Sequence, residues 1–396
     1  MSARTGIFFV LVCVLLAPVA AWAAEPGVTD TEVVVGVSTP LSGPAALWGV
    51  TALGMKAWAD HINDQGGIQG RKITVIIKDD GYNPTRSMAN LQEMKDQVFA
   101  ICGLLGSAPC NASKDFFPEN KIPLITAYAN VRIYANQPKE KQHYYFIAYP
   151  DYEDENHFLA DYAIRNLDTK TIAVFYQNDD YGHQALAGIK DALKANPGKA
   201  EIVAEVPYEV TERALGTHGL KLKESGADTV ILVPTPTHAA LITKEMAKIA
   251  YRPKVLTNFT MGDPIMFKIA GETWDGTYIS LAGNMSQPGF SPEADKVVET
   301  LLKYNPDLKG KEYLAVFGAV SMMHFAKALE NAGRDLTREG LIAGMEQIKD
   351  WKPEGMGAPV TYGPDRHHGI NASQMGQAKD GKAVPIADFT VYAPRF

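Results

Sequence analysis

Short runs of β-branched and apolar residues alternate with longer amphipathic segments along nearly the whole chain, and few folds accommodate that alternation. Val33-Val34-Val35-Gly36-Val37-Ser38 is a buried strand that breaks into a turn rich in Ser, Thr, Gly and Pro, and residues 48–62 then read as a helix. The next strand, 73–78, is closed by Asp79-Asp80-Gly81. Residues 84–96 follow as a helix, 98–103 as a strand, 112–120 as a helix and 123–126 as a strand. Such a series predicts a parallel sheet with helices on both faces.

The pattern then restarts. Residues 144–149 cross over and 154–166 are helical. Strands are expected at 171–176, 202–206, 229–234, 254–257 and 277–281, with helices at 181–195, 217–224 and 238–250 between them. After Ser280 the character changes: 282–289 is irregular, 292–304 and 314–332 are helical, and the tail from Trp351 carries β-like pieces at 359–362 and 387–392. Such returns imply several crossings between halves. Single cores stop growing at about 250–300 residues, so a chain of 396 residues is expected to form two. The expected fold class is therefore α/β, two Rossmann-like lobes with parallel sheets joined by a multi-crossing hinge. The first lobe takes 24–149 plus 283–355, and the second takes 150–282 plus 356–396.

Residues 1–23 read as a secretory signal, with Arg4, an apolar run over 7–16 and Ala21-Trp22-Ala23 as a small-residue cleavage site. The expected location is the periplasm. The formal charge of −7 becomes one unit more negative once Arg4 is removed, and the charges are interspersed rather than blocked. That balance argues against nucleic acid or an anionic membrane surface as partner. No later apolar run approaches the ~20 residues that span a bilayer, so no membrane insertion is expected, and the protein is expected to be a monomer.

Cys13 lies in the signal behind Val12, where a lipoprotein signal wants a small residue, and is expected to be discarded. Cys102 and Cys110 remain. In an oxidising compartment a disulfide between them is expected, worth about 2–3 kcal/mol for so short a loop; two separate buried thiols are the alternative.

Catalytic signatures are missing. There is no Gly-x-x-x-x-Gly-Lys-Ser/Thr loop, no His-Glu-x-x-His, no Cys-x-x-Cys and no Gly-x-Ser-x-Gly. We therefore expect no enzyme activity, no cofactor and no metal. His367-His368 has no carboxylate or Cys at ligand spacing and reads as a solvated loop. Asp79-Asp80 reads as a strand end that caps the next turn, rather than as an acid–base couple. Asn111, Asn258 and Asn371 fit a glycosylation sequon that recurs by chance.

Four segments carry a resemblance: Val33 through the turn Pro40-Leu41-Ser42-Gly43-Pro44-Ala45-Ala46-Leu47-Trp48-Gly49; Ile62-Asn63-Asp64-Gln65-Gly66-Gly67-Ile68-Gln69-Gly70-Arg71-Lys72; Asp79-Asp80-Gly81-Tyr82-Asn83-Pro84; and Asn178-Asp179-Asp180-Tyr181-Gly182. In that order they resemble the bacterial periplasmic leucine/isoleucine/valine-binding proteins of the type I solute-binding fold. The resemblance implies a two-lobed binder that closes on a small molecule and delivers it to an inner-membrane ABC permease. Independently, ligands of open α/β sheets sit beyond the carboxyl ends of the strands.

Three turns of the first lobe are suited to this. Trp48 offers a flat wall for an apolar body, or packs the lobe core. Gly106-Ser107-Ala108-Pro109 offers a hydroxyl and backbone N–H groups to an anion, or is a plain helix cap. Ala127-Tyr128-Ala129-Asn130 matches the family's second carboxylate contact through its backbone, or is an ordinary loop. From the second lobe, Tyr181 aligns with the family's ligand-covering tyrosine, or merely packs a loop, and Thr235 and Phe259 lie at turns after two further strands.

Two departures matter. Amino-acid binders of the family place an acid near Phe259 to pair the ligand's ammonium, whereas Thr257-Asn258-Phe259-Thr260-Met261 has none; an unpaired buried ammonium costs several kcal/mol. Tyr82 and Gly106 stand where its members often have Cys. The expected ligand is thus a small carboxylate with an aromatic or long-chain body and no amino group. An aliphatic amino acid is the alternative. An exported sensor domain would look identical in sequence, and an exported hydrolase would need a nucleophile–base pair that the motifs do not assemble.

Overall fold

Val33, Val35 and Val37 are buried in β1 (Glu32–Thr39), the strand around which the first sheet is built. A computed structural model describes residues 25–282, 289 and 291–396; the expected signal at 1–23 and residues 283–288 of the expected irregular stretch lie outside the described residues. β1 pairs in parallel with β2 (Lys72–Asp79) and β3 (Ala100–Cys102), and β4 (Leu124–Ile125) and β5 (Tyr145–Phe146) continue the sheet in the order β2-β1-β3-β4-β5. The strands expected at 98–103 and 123–126 are shorter than expected. Gly103 and Thr126, each directly after its strand, take positive φ and turn the chain out at the carboxyl end of the sheet.

The second sheet contains β6 (Thr171–Gln177), β7 (Glu201–Tyr208), β8 (Thr229–Val233), β9 (Lys254–Thr257), β10 (Tyr278–Ala282), β11 (Ala372–Lys379) and β12 (Lys382–Val391), in the order β12-β11-β10-β9-β8-β6-β7. β6 to β10 are parallel, whereas β11 and β12 run antiparallel to their neighbours. Both sheets are thus dominated by parallel strands, as expected, and the second adds an antiparallel edge. β11 and β12 are joined by Asp380-Gly381, both at positive φ, which a two-residue type I′ hairpin requires. Of the two expected β-like pieces, 387–392 falls mostly in β12, while 359–362 contributes only a bridge from Val360 to Trp351.

Six of the described α-helices start where the sequence supplies a cap. Asn83, Asp151, Asp179, Thr235, Ser291 and Thr337 each accept a backbone N–H from the first turn of the helix that follows. Asp79 also does what was expected of it, accepting N–H bonds from Leu41 at 2.9 Å and Gly81 at 2.9 Å. The helix Glu312–Ala332, which follows the second sheet's β10 in sequence, lies against Val50–Asp64 of the first lobe. The two approach so closely that a Cβ on Gly318 would stand 1.8 Å from the Thr51 carbonyl oxygen, and one on Gly54 would stand 2.0 Å from that of Ala315.

His367-His368 is not a solvated loop. His367 stacks on Phe146 at 4.0 Å between ring centroids, with Nε2 3.1 Å from Glu346 and Nδ1 3.1 Å from the Gln142 carbonyl. His368 is fully buried; Arg395 N–H donates to its Nδ1 at 3.0 Å and its Nε2 donates to the Tyr149 carbonyl at 2.7 Å. Burial lowers its pKa to about 4, so it is neutral. The pair moors the returning chain against Ile147, with which it bridges in parallel.

Candidate ligand-binding cleft

The turns at the carboxyl ends of both sheets face one another across a cavity. Trp48, in the one-turn helix Ala46–Gly49 that follows β1, is almost fully buried, its ring 5.6 Å from Phe317 and 6.4 Å from Tyr128. Tyr128 follows β4; its hydroxyl donates to the Phe317 carbonyl at 2.9 Å and contacts Ser321 Oγ, which leaves its ring as the surface it offers. Ser107 begins the short helix Ser107–Ser113, where its Oγ accepts the Asn130 N–H at 2.9 Å. A hydroxyl that accepts in this way keeps its own proton to donate.

From the second lobe, Tyr181 opens the helix Asp180–Ala195 and its hydroxyl lies 3.1 Å from Asn258 Oδ1 and 3.0 Å from Thr260 Oγ1. Thr235 caps Pro236–Lys248, with Oγ1 2.6 Å from His238 Nδ1 and its N–H given to Tyr208 at 2.9 Å. Tyr149 and Tyr152, at the first crossing between the lobes, bond each other through their hydroxyls at 2.9 Å. One phenol of that pair donates, so the other keeps a free proton.

Five of the expected residues line the cavity: Trp48, Ser107, Tyr128, Tyr181 and Thr235. Ala108, Ala127, Ala129 and Phe259 do not. The three alanines stand beside lining residues, and Phe259 is fully buried behind the wall, its ring 4.7 Å from Tyr149. Tyr82, Tyr149, Tyr152, Gln177 and Thr260 line it without having been singled out as ligand residues. About 40 Å³ of the space between the walls can take the centre of a water molecule. That is room for a few waters or a compact organic group.

No lining residue carries a carboxylate, an ammonium or a guanidinium. Burial holds the phenols of Tyr82, Tyr149, Tyr152 and Tyr181 well above their usual pKa, so they act as neutral donors and acceptors. Two acids stand behind the second lobe's wall: Asp179, which accepts from Gln177 Nε2 and from the Tyr181 N–H and whose pKa burial raises to about 6, and one that the sequence pattern does not reveal. Glu155, buried on the helix Tyr152–Asn166, accepts the Phe259 N–H at 2.8 Å. Burial pushes its pKa up to about 8, against smaller opposing effects from that N–H and the Ser280 hydroxyl. It stands behind Phe259 as a neutral acid.

Cys102 and Cys110 are not bridged. Both thiols are free and buried, that of Cys110 directed at the Leu104 carbonyl at 3.6 Å. The disulfide expected from their spacing is corrected to the alternative of two separate thiols. One sits in a central strand and the other is turned into its own helix start, and burial raises both pKa values, that of Cys110 to about 12.

Known proteins share this architecture. A family described as periplasmic binding protein matches residues 32–383. Leu/Ile/Val-binding protein homolog 3 of Brucella melitensis is 26% identical over 280 residues, spanning 69% of this chain and 73% of that one. The leucine-specific-binding protein of Salmonella typhimurium is 22% identical over 354 residues, spanning 88% and 90%. Among solved structures, a fatty acid ABC transporter substrate-binding protein from Thermomonospora curvata superposes with a TM-score of 0.80 at 23% identity, over 93% of this chain and 95% of that one. A branched chain amino acid ABC transporter protein from Thermus thermophilus with bound valine superposes with a TM-score of 0.82 at 15% identity, over 92% and 97%. At such identities the likeness to solved structures speaks for the fold.

Proposed function

Because the chain belongs to the periplasmic binding protein family, we propose that it is the exported substrate-binding component of an ABC importer, that it captures a small carboxylate in the cleft by closure of its lobes, and that it passes the ligand to an inner-membrane permease. It acts by binding, without turnover. The observation that carries the ligand class is the charge of the wall: aromatic and hydroxyl groups line it, and no anion does. An ammonium placed there would lose its hydration with no carboxylate to replace it. A carboxylate would meet the free proton of Ser107 and the free phenolic proton of the Tyr149–Tyr152 pair, and charge-assisted bonds of that kind are the strong ones. The rings of Trp48, Tyr128 and Tyr181 would take the apolar or aromatic body.

A second reading has specific support. The relatives named for leucine, isoleucine and valine and the valine-bound neighbour favour an aliphatic amino acid, whereas the neighbour named for fatty acids favours an acid without an amino group. Isothermal titration with leucine, valine, benzoate, phenylpropenoate and a medium-chain fatty acid separates them. The carboxylate reading expects at least one acid to bind tenfold or more tighter than leucine, which corresponds to about 1.4 kcal/mol. Micromolar leucine binding with no response to the acids would replace it by the amino-acid reading.

A further inference from the structure

Tyr82 reaches across the cleft from a strained position. Its backbone lies in the left-handed region at φ 64°, which L residues other than Asn and Asp seldom adopt. Two bonds hold it there. Asp80 Oδ1 accepts the Tyr82 N–H at 2.8 Å, and Asp80 Oδ2 accepts the hydroxyl of Ser38, at the end of β1, at 2.9 Å. Asp80 is itself fully buried.

From that anchor the ring passes over Gly106. A Cβ at residue 106 would stand 2.5 Å from Tyr82 Cε2, so the ring has its place only because residue 106 is glycine, which also accepts the local φ of 100°. At its far end the hydroxyl accepts from Gln177 Nε2 at 3.2 Å. Gln177 closes β6 of the opposite lobe, and the Tyr208 hydroxyl steadies it by donating to its Oε1 at 3.2 Å. Tyr82, Gly106 and Gln177 all line the cavity. The interlobe gap is therefore spanned at this point by a phenol ring, on the same cavity as the Ser107 and Tyr149–Tyr152 hydroxyls assigned to the carboxylate.

We propose that Tyr82 sets the upper size of the ligand: laid over Gly106 and tied to Gln177, its ring caps the cavity and restricts it to compact molecules, a single ring or a short branched chain, to the exclusion of long-chain acids. The proposal rests on the cleft being the ligand site and not on the charge of the ligand. Within the carboxylate reading it narrows the class to compact acids.

The test replaces the ring without straining the backbone. Tyr82→Gly suits the left-handed conformation, and circular dichroism with thermal unfolding checks that it folds. Affinities are measured by titration in two graded series, benzoate, 3-phenylpropanoate and octanoate, and valine, leucine and phenylalanine. Wild type is expected to prefer the shortest member of whichever series it binds. Tyr82→Gly is expected to shift the ratio of longest to shortest by at least tenfold toward the longest. Tyr82→Phe, which keeps the ring and loses the Gln177 bond, is expected to keep the wild-type ranking with every affinity weakened by a common factor. An unchanged ratio in folded Tyr82→Gly overturns the proposal, as does wild type that binds the longest member as well as the shortest, or folded variant protein that gains no longer ligand. Binding confined to the amino acids would overturn the carboxylate reading while the size ranking still decided the role of Tyr82.

Discussion

Glu155 keeps its proton at pH values where an exposed carboxyl loses it, and that gives the fold a signed dependence on pH. Its pKa rises from 4.5 to about 8 on folding because burial penalises the charge. Between those values the folded chain holds a proton that the unfolded chain has released, so this group's contribution to stability falls as pH rises through that window. Glu155→Gln resembles the protonated acid and carries no charge in either state. Its thermal midpoint should gain on wild type from pH 5 to pH 8, with the variant the more stable at pH 8. Parallel midpoints across that range would mean that the carboxyl titrates normally. His368 slopes the other way: its pKa falls from 6.5 to about 4, so stability is lost as pH drops through that interval. At the cleft, Ser107→Ala should weaken carboxylate binding by about 1.5–3 kcal/mol, the range for a hydrogen bond to a charged group, and should lower the melting temperature without ligand as well, because the Asn130 N–H loses its acceptor. Titration that finds equal affinities would remove Ser107 from the site. Trp48 and Ser107 were legible because they lie in the turns that follow β1 and β3, and Tyr181 because its segment resembles the family's. Tyr149 and Tyr152 were not, because they sit on a crossing and meet the cleft only through the path of the chain. Glu155 was hidden inside a helical pattern that gave no sign of what would cover it.

Among the elements, the two helices that tie the ends of the first lobe together depend on missing side chains. With a Cβ at Gly318 placed 1.8 Å from the Thr51 carbonyl oxygen, Gly318→Ala must push Glu312–Ala332 away from Val50–Asp64, and overpacking of that kind costs about 1–3 kcal/mol or more. A melting temperature several degrees below wild type is the expected result, and an unchanged one would show that the helices separate freely. The same comparison shows where strand reading fails. β1, β6 and β8 are buried on both faces and read as continuous apolar runs. β11 alternates Gln374 and Gln377 with Met375 and Gly376, lacks a β-branched run, and passed as irregular tail. Its turn was the better signal, since Asp380-Gly381 between two polar strands is a strong short-range mark of a hairpin.

For the whole molecule, specific hydrogen bonds join the lobes. Asn111 Nδ2 donates to Asp180 Oδ2 at 2.7 Å, and the Leu314 N–H donates to Asp263 Oδ2 at 3.1 Å. Arg132 pairs with Asp151 at 3.1 Å and Glu153 at 3.0 Å beside the crossing. A hinge near that crossing leaves the Asn111 contact to break on opening. Small-angle scattering should therefore give a smaller radius of gyration with ligand than without. Asn111→Ala should bind several-fold more weakly through faster release, in line with about 1 kcal/mol for the lost bond. An equal radius at saturation would count against closure.

The antiparallel edge of the second sheet also fixes an order of events. β10 ends at Ala282, and its partner on that side begins only at Ala372, after the chain has travelled back to build the long helix of the other lobe. Until that last stretch emerges, Ile279 and Leu281 stand on a naked strand edge, the kind of surface that recruits other chains. The sheet cannot be sealed from its beginning. A chain threaded this way gains from being held unfolded until translation is complete, which suits passage through a membrane before folding rather than after it.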